Sequence, residues 1–175
     1  MVLAVPMVPK RLAAAALLLI GALPAPALGA AAAKPKAPAP VQSRHLWATV
    51  DVCNTKAFPR VIGVRGSMPG TGLANERMFM RFQVQYQVGS DWKFIPAADT
   101  GFRSVGAATF KARQAGQQFT IPVATVPYVL RGVVSFQWRR RGHAVLKAQR
   151  ITMAGHIANA GADPKGYSAA ACALP

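Results

Sequence analysis

The sequence predicts an all-β protein, an antiparallel sandwich of about seven short strands, and three observations lead to this fold class. Apolar and polar residues alternate over several runs, which is the pattern of a half-buried strand. Turn residues such as Gly and Pro separate the runs. Helical periodicity of useful length and internal repeats are both lacking. Because each run needs cover for its apolar face, two packed sheets are expected.

The strongest strand lies at residues 128–141, with the sequence YVLRGVVSFQWRRR. Its apolar residues occupy every second position, with Gly132 as the one gap: Tyr128, Leu130, Val134, Phe136 and Trp138. A strand this long needs partners on both sides, so we predict that it is the central strand of the fold. Phe136 and Trp138 are interpreted as core packing rather than as a platform for a ligand.

Residues 1–29 predict a signal peptide. Lys10 and Arg11 provide the positive charge, and the apolar stretch 12–23 follows. That stretch has 12 residues, whereas about 20 are needed to span a bilayer. An uncleaved anchor is the weaker alternative.

The ends of this leader leave two points open. Small residues at Ala27 and Gly29 suit the −3 and −1 positions of a signal-peptidase site, and cleavage after Ala31 is the alternative. Met7 is an alternative start to Met1. Residues 30–44 follow as an Ala/Pro/Lys-rich linker, a composition that cannot bury a core.

The folded domain is predicted at residues 45–175. The 77–88 run, RMFMRFQVQYQV, should match the apolar face of the central strand, and the cations of the last strand suit a sheet edge. Residues 96–116 are expected to hold a loop, a helical turn and one short strand. The other predicted strands are 46–53, 61–68, 92–95, a short one around 108–111, 117–123 and 144–153.

Two cysteines, Cys53 and Cys172, are expected to form one disulfide in an exported chain. The bond would tie the Gly- and Ala-rich tail, residues 154–175, beside the end of the first strand. Two free thiols are the alternative. The expected location is therefore extracytoplasmic, either secreted or associated with the cell envelope.

The chain is strongly basic, with 21 Lys and Arg against 5 Asp and Glu and a formal charge of +16. Such a charge favours polyanionic partners. The partner stays open, and an anionic cell-surface polymer and another protein are the two candidates. An alternative is that the Arg usage reflects genome composition. No nucleic acid is expected, because no outward aromatic platform accompanies the cations.

The residues that carry chemistry are scattered, so an enzyme is not expected. No two of the five acids have a spacing suited to acid–base catalysis, and the three histidines are isolated from one another. We expect no metal and no cofactor. The one local concentration is a basic hairpin tip of Arg139, Arg140, Arg141 and His143, since Arg binds phosphate or carboxylate in bidentate fashion.

The order and spacing of the predicted strands resemble those of fibronectin type III or immunoglobulin-like domains. The similarity rests on 77–88, its short partner WKFI at 92–95, and the pair LRGVVSFQW and AVLKAQRITM. The chain also resembles small secreted actinobacterial proteins of unknown function, in which a V-x-F-x-W strand precedes the last hairpin and a late cysteine. In the immunoglobulin pattern the cysteines lie in the second and sixth strands, unlike Cys53 and Cys172. The resemblance implies a sandwich fold and no particular activity.

Two functions remain open from the sequence. The first is an exported, non-catalytic sandwich that binds a partner or builds part of the envelope. The second is a polyanion-binding module that uses the hairpin tip.

Overall fold

The computed structural model describes residues 39–122 and 127–175, so the predicted signal peptide and most of the linker lie outside the described residues. The described part is all-β, apart from one 3-10 turn at Pro40–Gln42, and none of its segments forms a helix long and apolar enough to cross a membrane. Its strands are β1 (Trp47–Cys53), β2 (Val61–Pro69), β3 (Glu76–Val88), β4 (Asp91–Asp99), β5 (Arg103–Ala107), β6 (Ala112–Thr120), β7 (Tyr128–Arg140), β8 (His143–Ile151) and β9 (Cys172–Leu174).

The strands form two antiparallel sheets that share one core, as the predicted sandwich requires. The smaller sheet has the order β1-β2-β6, and the larger sheet is built around β3 and β7. Both flanks of the larger sheet are broken: β4 and β5 share the free side of β3, and β8 and β9 share the free side of β7. The described residues therefore contain nine strands rather than about seven.

The pairing of β3 with β7 forms the centre of the core. Met78 lies opposite Trp138, Met80 opposite Phe136, and Phe82 opposite Val134, and all six side chains are buried. The indole N–H of Trp138 donates to the Pro69 carbonyl at 2.9 Å, which joins the two sheets. The predicted central strand and the packing role of its aromatic residues are confirmed.

Gly132, the gap in the apolar alternation of β7, marks a close approach of the two sheets. A Cβ at this position would lie 2.5 Å from a methyl group of Val64 in β2. The Val64 side chain therefore fills the space that a residue at 132 would need, so the apolar layer continues through the glycine.

The prediction for residues 96–116 is wrong. β4 extends to Asp99, β5 and the start of β6 follow, and residues 108–111 form the turn between them rather than a strand. β6 starts at Ala112, and the 117–123 prediction covers only its second half. Only Ala115 and Phe119 of β6 pack partly against the core, so the strand lacks the apolar alternation on which the prediction relied.

The predicted disulfide between Cys53 and Cys172 is present, with an S–S distance of 2.06 Å. Cys53 ends β1 of the smaller sheet, and Cys172 begins β9, which pairs with β7 of the larger sheet. The bond therefore connects both sheets and holds the tail against the domain. A disulfide of this kind indicates an oxidising, extracytoplasmic environment.

The tail covers the outer face of the smaller sheet, above a buried ion pair. Arg65 Nε lies 2.6 Å from Asp51 Oδ2, and the Asp51 side chain is almost fully buried. Burial raises the pKa of Asp51, against the opposing effect of Arg65. Gly161 passes so close that a Cβ there would lie 2.6 Å from the Arg65 guanidinium. Ser168 meets the Thr49 hydroxyl at 2.7 Å, so polar residues of β1 are buried beneath the tail.

Two residues near the start of the described chain, Trp47 and Val41, make long-range contacts with later parts of it. The His156 ring stacks on Trp47, with 4.6 Å between ring centroids, and burial lowers the pKa of His156. Val41, in the last part of the predicted linker, packs against the core, and its carbonyl accepts a hydrogen bond from Arg150 at 2.7 Å.

Replacing Cys53 and Cys172 together by Ser should lower the free energy of unfolding by about 2–5 kcal/mol, because the bond closes a long loop in the unfolded chain. Urea denaturation measures the loss, and reduction of the unaltered protein should reproduce it. Titration of the denatured, unreduced protein should detect no free thiol. Unchanged stability in the double variant would contradict the structural role of the bond.

Acidification should destabilise the protein in part through His156. Its folded-state pKa lies below the ordinary 6.5, so the unfolded chain binds the proton more readily, and stability falls as the pH drops below about 6.5. Thermal melts between pH 8 and pH 5 measure the slope. His156→Gln, which cannot titrate, should show a shallower slope, and identical slopes would contradict the assignment.

Candidate binding surface

The basic hairpin tip joins β7 to β8 through a two-residue turn. Arg141 and Gly142 form the turn with φ values of 49° and 84°, and Arg140 pairs with His143 across its base. Positive φ at both central residues is the geometry of a type I′ hairpin turn. Arg141 is the unusual residue, since a side chain with a Cβ is strained in the left-handed region.

The structure separates the arginines of the predicted site. Arg140 Nη2 lies 2.7 Å from Glu76 Oε1, and the Thr71 hydroxyl donates to the other carboxylate oxygen at 2.7 Å. The Glu76 side chain is only 3% exposed. Arg140 therefore neutralises a buried acid, and it shares this face of the hairpin with the exposed His143.

Arg139 points to the opposite, outer face of the larger sheet and is held in place there. Its Nε donates to Gln137 Oε1 at 2.8 Å. Its guanidinium lies 4.2 Å from the ring centroid of Phe79 and 5.2 Å from that of Phe102. The two terminal nitrogens have no hydrogen-bond partner within the described residues, so a pre-positioned pair of donors faces solvent.

Strand register brings further cations to the same outer face. Arg77 of β3 lies directly opposite Arg139, and Lys147 of β8 lies opposite Gln137. We name Arg77, Arg139 and Lys147 the outer cation cluster. Among the described residues the ion pairs involve Arg65, Arg81 and Arg140, so no acid pairs with this cluster. Like charges directly opposite each other in a sheet are destabilising.

A second arginine on this face is held in the same way, by a glutamine oxygen and an aromatic ring. Arg131 Nε donates to Gln85 Oε1 at 2.8 Å, and its guanidinium lies 4.1 Å from the Trp92 ring centroid. Arg131 and Arg139 are eight residues apart on β7, which corresponds to about 26 Å along the strand. The outer face therefore carries fixed guanidinium groups near both ends of β7.

An open depression of about 370 Å³ lies beside the outer cation cluster. Phe102 forms one wall, and side chains of β7 and β8 form the rest: Ser135, Gln137, Lys147 and Gln149. Phe102 lies in the gap between β4 and β5. Polar and aromatic groups thus surround a shallow surface site next to Arg139 and Lys147.

Arg77 and Phe102 belong to this surface, and neither was predicted from the sequence as a site residue. Arg77 occupies an outward position on an alternating strand, and correct pairing of β3 with β7 would have placed it beside Arg139. Phe102 lies in the segment whose strands were wrongly predicted, so no signal in the sequence pointed to it.

In the part of the chain that the structure describes, no three His, Cys, Asp or Glu side chains are grouped closely enough to hold a metal ion. Comparison of the chain with protein-family models gives no match, and comparison with curated proteins gives none either. The geometry of the outer face therefore carries the functional argument.

Replacing Arg141 by Asn should stabilise the protein by about 0.5–1 kcal/mol, because Asn-Gly is a preferred pair for a type I′ turn and Asn tolerates positive φ. Urea denaturation measures the change. Arg141→Ala removes the same charge without relieving the backbone strain and serves as the control. Equal stability of the two variants would show that charge rather than backbone geometry limits the turn.

Proposed function

We propose that this chain is an exported, non-catalytic binding module that attaches to anionic polymers of the cell envelope through the outer cation cluster. The observation that carries the proposal is the placement of Arg77, Arg139 and Lys147 on one outer surface, with no acidic partner among the described residues. A native sheet tolerates such repulsion more easily when a bound anion offsets it.

The dimensions of the surface favour a polymer over a small ion. Arg131 extends the positive face about 26 Å along β7 from Arg139, and both guanidinium groups keep their terminal nitrogens free of partners within the described residues. A chain with repeated negative charges could contact both groups at once, which increases its apparent affinity.

Export is supported by the leader-like segment 1–29 and by the disulfide between Cys53 and Cys172. Envelope polymers that carry phosphate or carboxylate groups would then be accessible partners. A purely structural role in the envelope is the alternative, and it requires no salt-dependent attachment.

The arrangement of the strands supports an immunoglobulin-like or fibronectin type III-like sandwich as the scaffold. The first and second strands share one sheet with β6, whereas β3, β7 and β8 lie in the other. Immunoglobulin-type domains distribute their strands over two sheets in a comparable order. The scaffold suggests no ligand by itself, because such domains host many unrelated functions.

Retention on an immobilised polyanion such as heparin should fall steeply as salt increases. The double variant Arg139→Ala with Lys147→Ala should reduce the slope of log affinity against log salt by roughly one for each contacting cation removed. The readout is the elution position over a salt series, together with affinities from fluorescence titration.

The matched control for that experiment removes two exposed cations from elsewhere, by Lys56→Ala with Lys165→Ala. Both double variants lose the same formal charge, so a nonspecific effect of net charge would change them equally. Equal slopes in the two variants would contradict the proposed surface, and the absence of any salt-dependent retention would favour the structural alternative.

A further inference from the structure

We infer that the depression bounded by Phe102, β7 and β8 is a subsite for one carboxylate-bearing sugar unit, so that the polymer is an acidic polysaccharide rather than a polyphosphate. This inference rests on the proposed function and specifies its ligand. It concerns the 370 Å³ depression, whose volume falls within the range of small-ligand sites, roughly 300–1,000 Å³.

The hydrogen-bonding groups of the depression include both donors and acceptors. Gln137 uses its Oε1 to accept from Arg139, which leaves its amide NH2 as a free donor. Gln149 donates one N–H of Nε2 to Ser135 Oγ at 3.1 Å. This leaves the side-chain Oε1 of Gln149 as an acceptor, and its second N–H and the Ser135 O–H as donors.

This mixture distinguishes sugars from phosphates. A sugar hydroxyl both donates and accepts, so it can satisfy the Gln149 oxygen as well as the donors of Gln137 and Ser135. The oxygens of a polyphosphate only accept near neutral pH, and they would approach the Gln149 oxygen unfavourably. The amide groups of the depression therefore match a hydroxylated ligand better than a bare polyanion.

The cations beside the depression are suited to bind the carboxylate of the sugar unit. Because Arg139 Nε is occupied by Gln137, its two terminal nitrogens remain as an end-on pair that fits the two oxygens of a carboxylate. Lys147 borders the same depression. A uronic acid unit would place its hydroxyls on the amides and its carboxylate on Arg139.

Phe102 supplies the apolar contact that such a unit needs. Pyranose rings have C–H faces that pack on aromatic side chains, and sites for small ligands combine aromatic walls with a few polar groups. Phe102 forms a wall of the depression and is only partly buried. The depression is open, which suits one unit of a chain lying along the surface.

The test measures binding of the full exported protein to three probes of matched length: oligogalacturonate, its methyl-esterified form, and polyphosphate. At physiological salt the oligogalacturonate should bind about tenfold more tightly than the polyphosphate, a difference of about 1.4 kcal/mol. The methyl ester, which lacks the carboxylate charge, should lose at least that factor.

Two variants locate the site. Gln149→Met keeps the side-chain shape and removes the acceptor, and Phe102→Ala removes the aromatic wall. Each should weaken oligogalacturonate binding about tenfold, and neither should weaken polyphosphate binding by more than about twofold. Gln118→Met, on exposed β6, is the matched control for the amide. If Phe102→Ala proves unstable in a thermal melt, Gln149→Met alone decides the result.

The outcomes separate this inference from the function on which it rests. Equal affinity for oligogalacturonate and polyphosphate, unaffected by Gln149→Met, would overturn the sugar subsite. The proposed polyanion binding would still stand if Arg139→Ala with Lys147→Ala reduced the salt slope. If that double variant changed nothing and no probe bound, both the subsite and the proposed function would fail.

Discussion

The register between β3 and β7 is the constraint on which the rest of the structure depends. The same alignment that places Met78 opposite Trp138 inside the core places Arg77 opposite Arg139 on the outer face. A slip of one residue would exchange the two faces, exposing the large apolar side chains and burying the cations. The apolar pairs therefore fix the positions of the charged pairs, and the repulsion between Arg77 and Arg139 is tolerated because the core holds the strands together.

The broken flanks of the larger sheet create both features that distinguish this sandwich. On the β3 side, Phe102 lies in the break between β4 and β5, and its side chain lies on the outer face beside Arg139. On the β7 side, β8 ends and β9 returns to the same strand, which brings Cys172 within bonding distance of Cys53. An unbroken edge strand beside β3 would remove the Phe102 wall of the depression, and an unbroken strand beside β7 would occupy the place of β9.

The sequence could predict those parts of the fold that depend on local pattern. Long alternation in β3 and β7 identified the core strands, and the even cysteine count in a chain with a predicted signal peptide identified the disulfide. β5 and the first half of β6 were missed because these segments contribute few apolar side chains to the core. The residues of the hairpin tip were predicted as one group, but their contacts separate them. Arg140 is neutralised by Glu76, which lies 64 residues earlier in the chain. Arg139 is oriented instead by the rings of Phe79 and Phe102. Such long-range pairings leave no local signal.

The two outer arginines show how a flexible cation can be fixed without an acid. An ion pair would neutralise the guanidinium, as Glu76 does for Arg140 and Asp99 does for Arg81. At Arg139 and Arg131 a neutral glutamine oxygen accepts from Nε, and an aromatic face supports the planar group. In this arrangement the arginine side chain is already ordered, so binding an anion would cost less side-chain entropy. The guanidinium also keeps its full positive charge. The same construction occurs twice on one strand face, which is the arrangement that the proposed binding of an anionic partner would require.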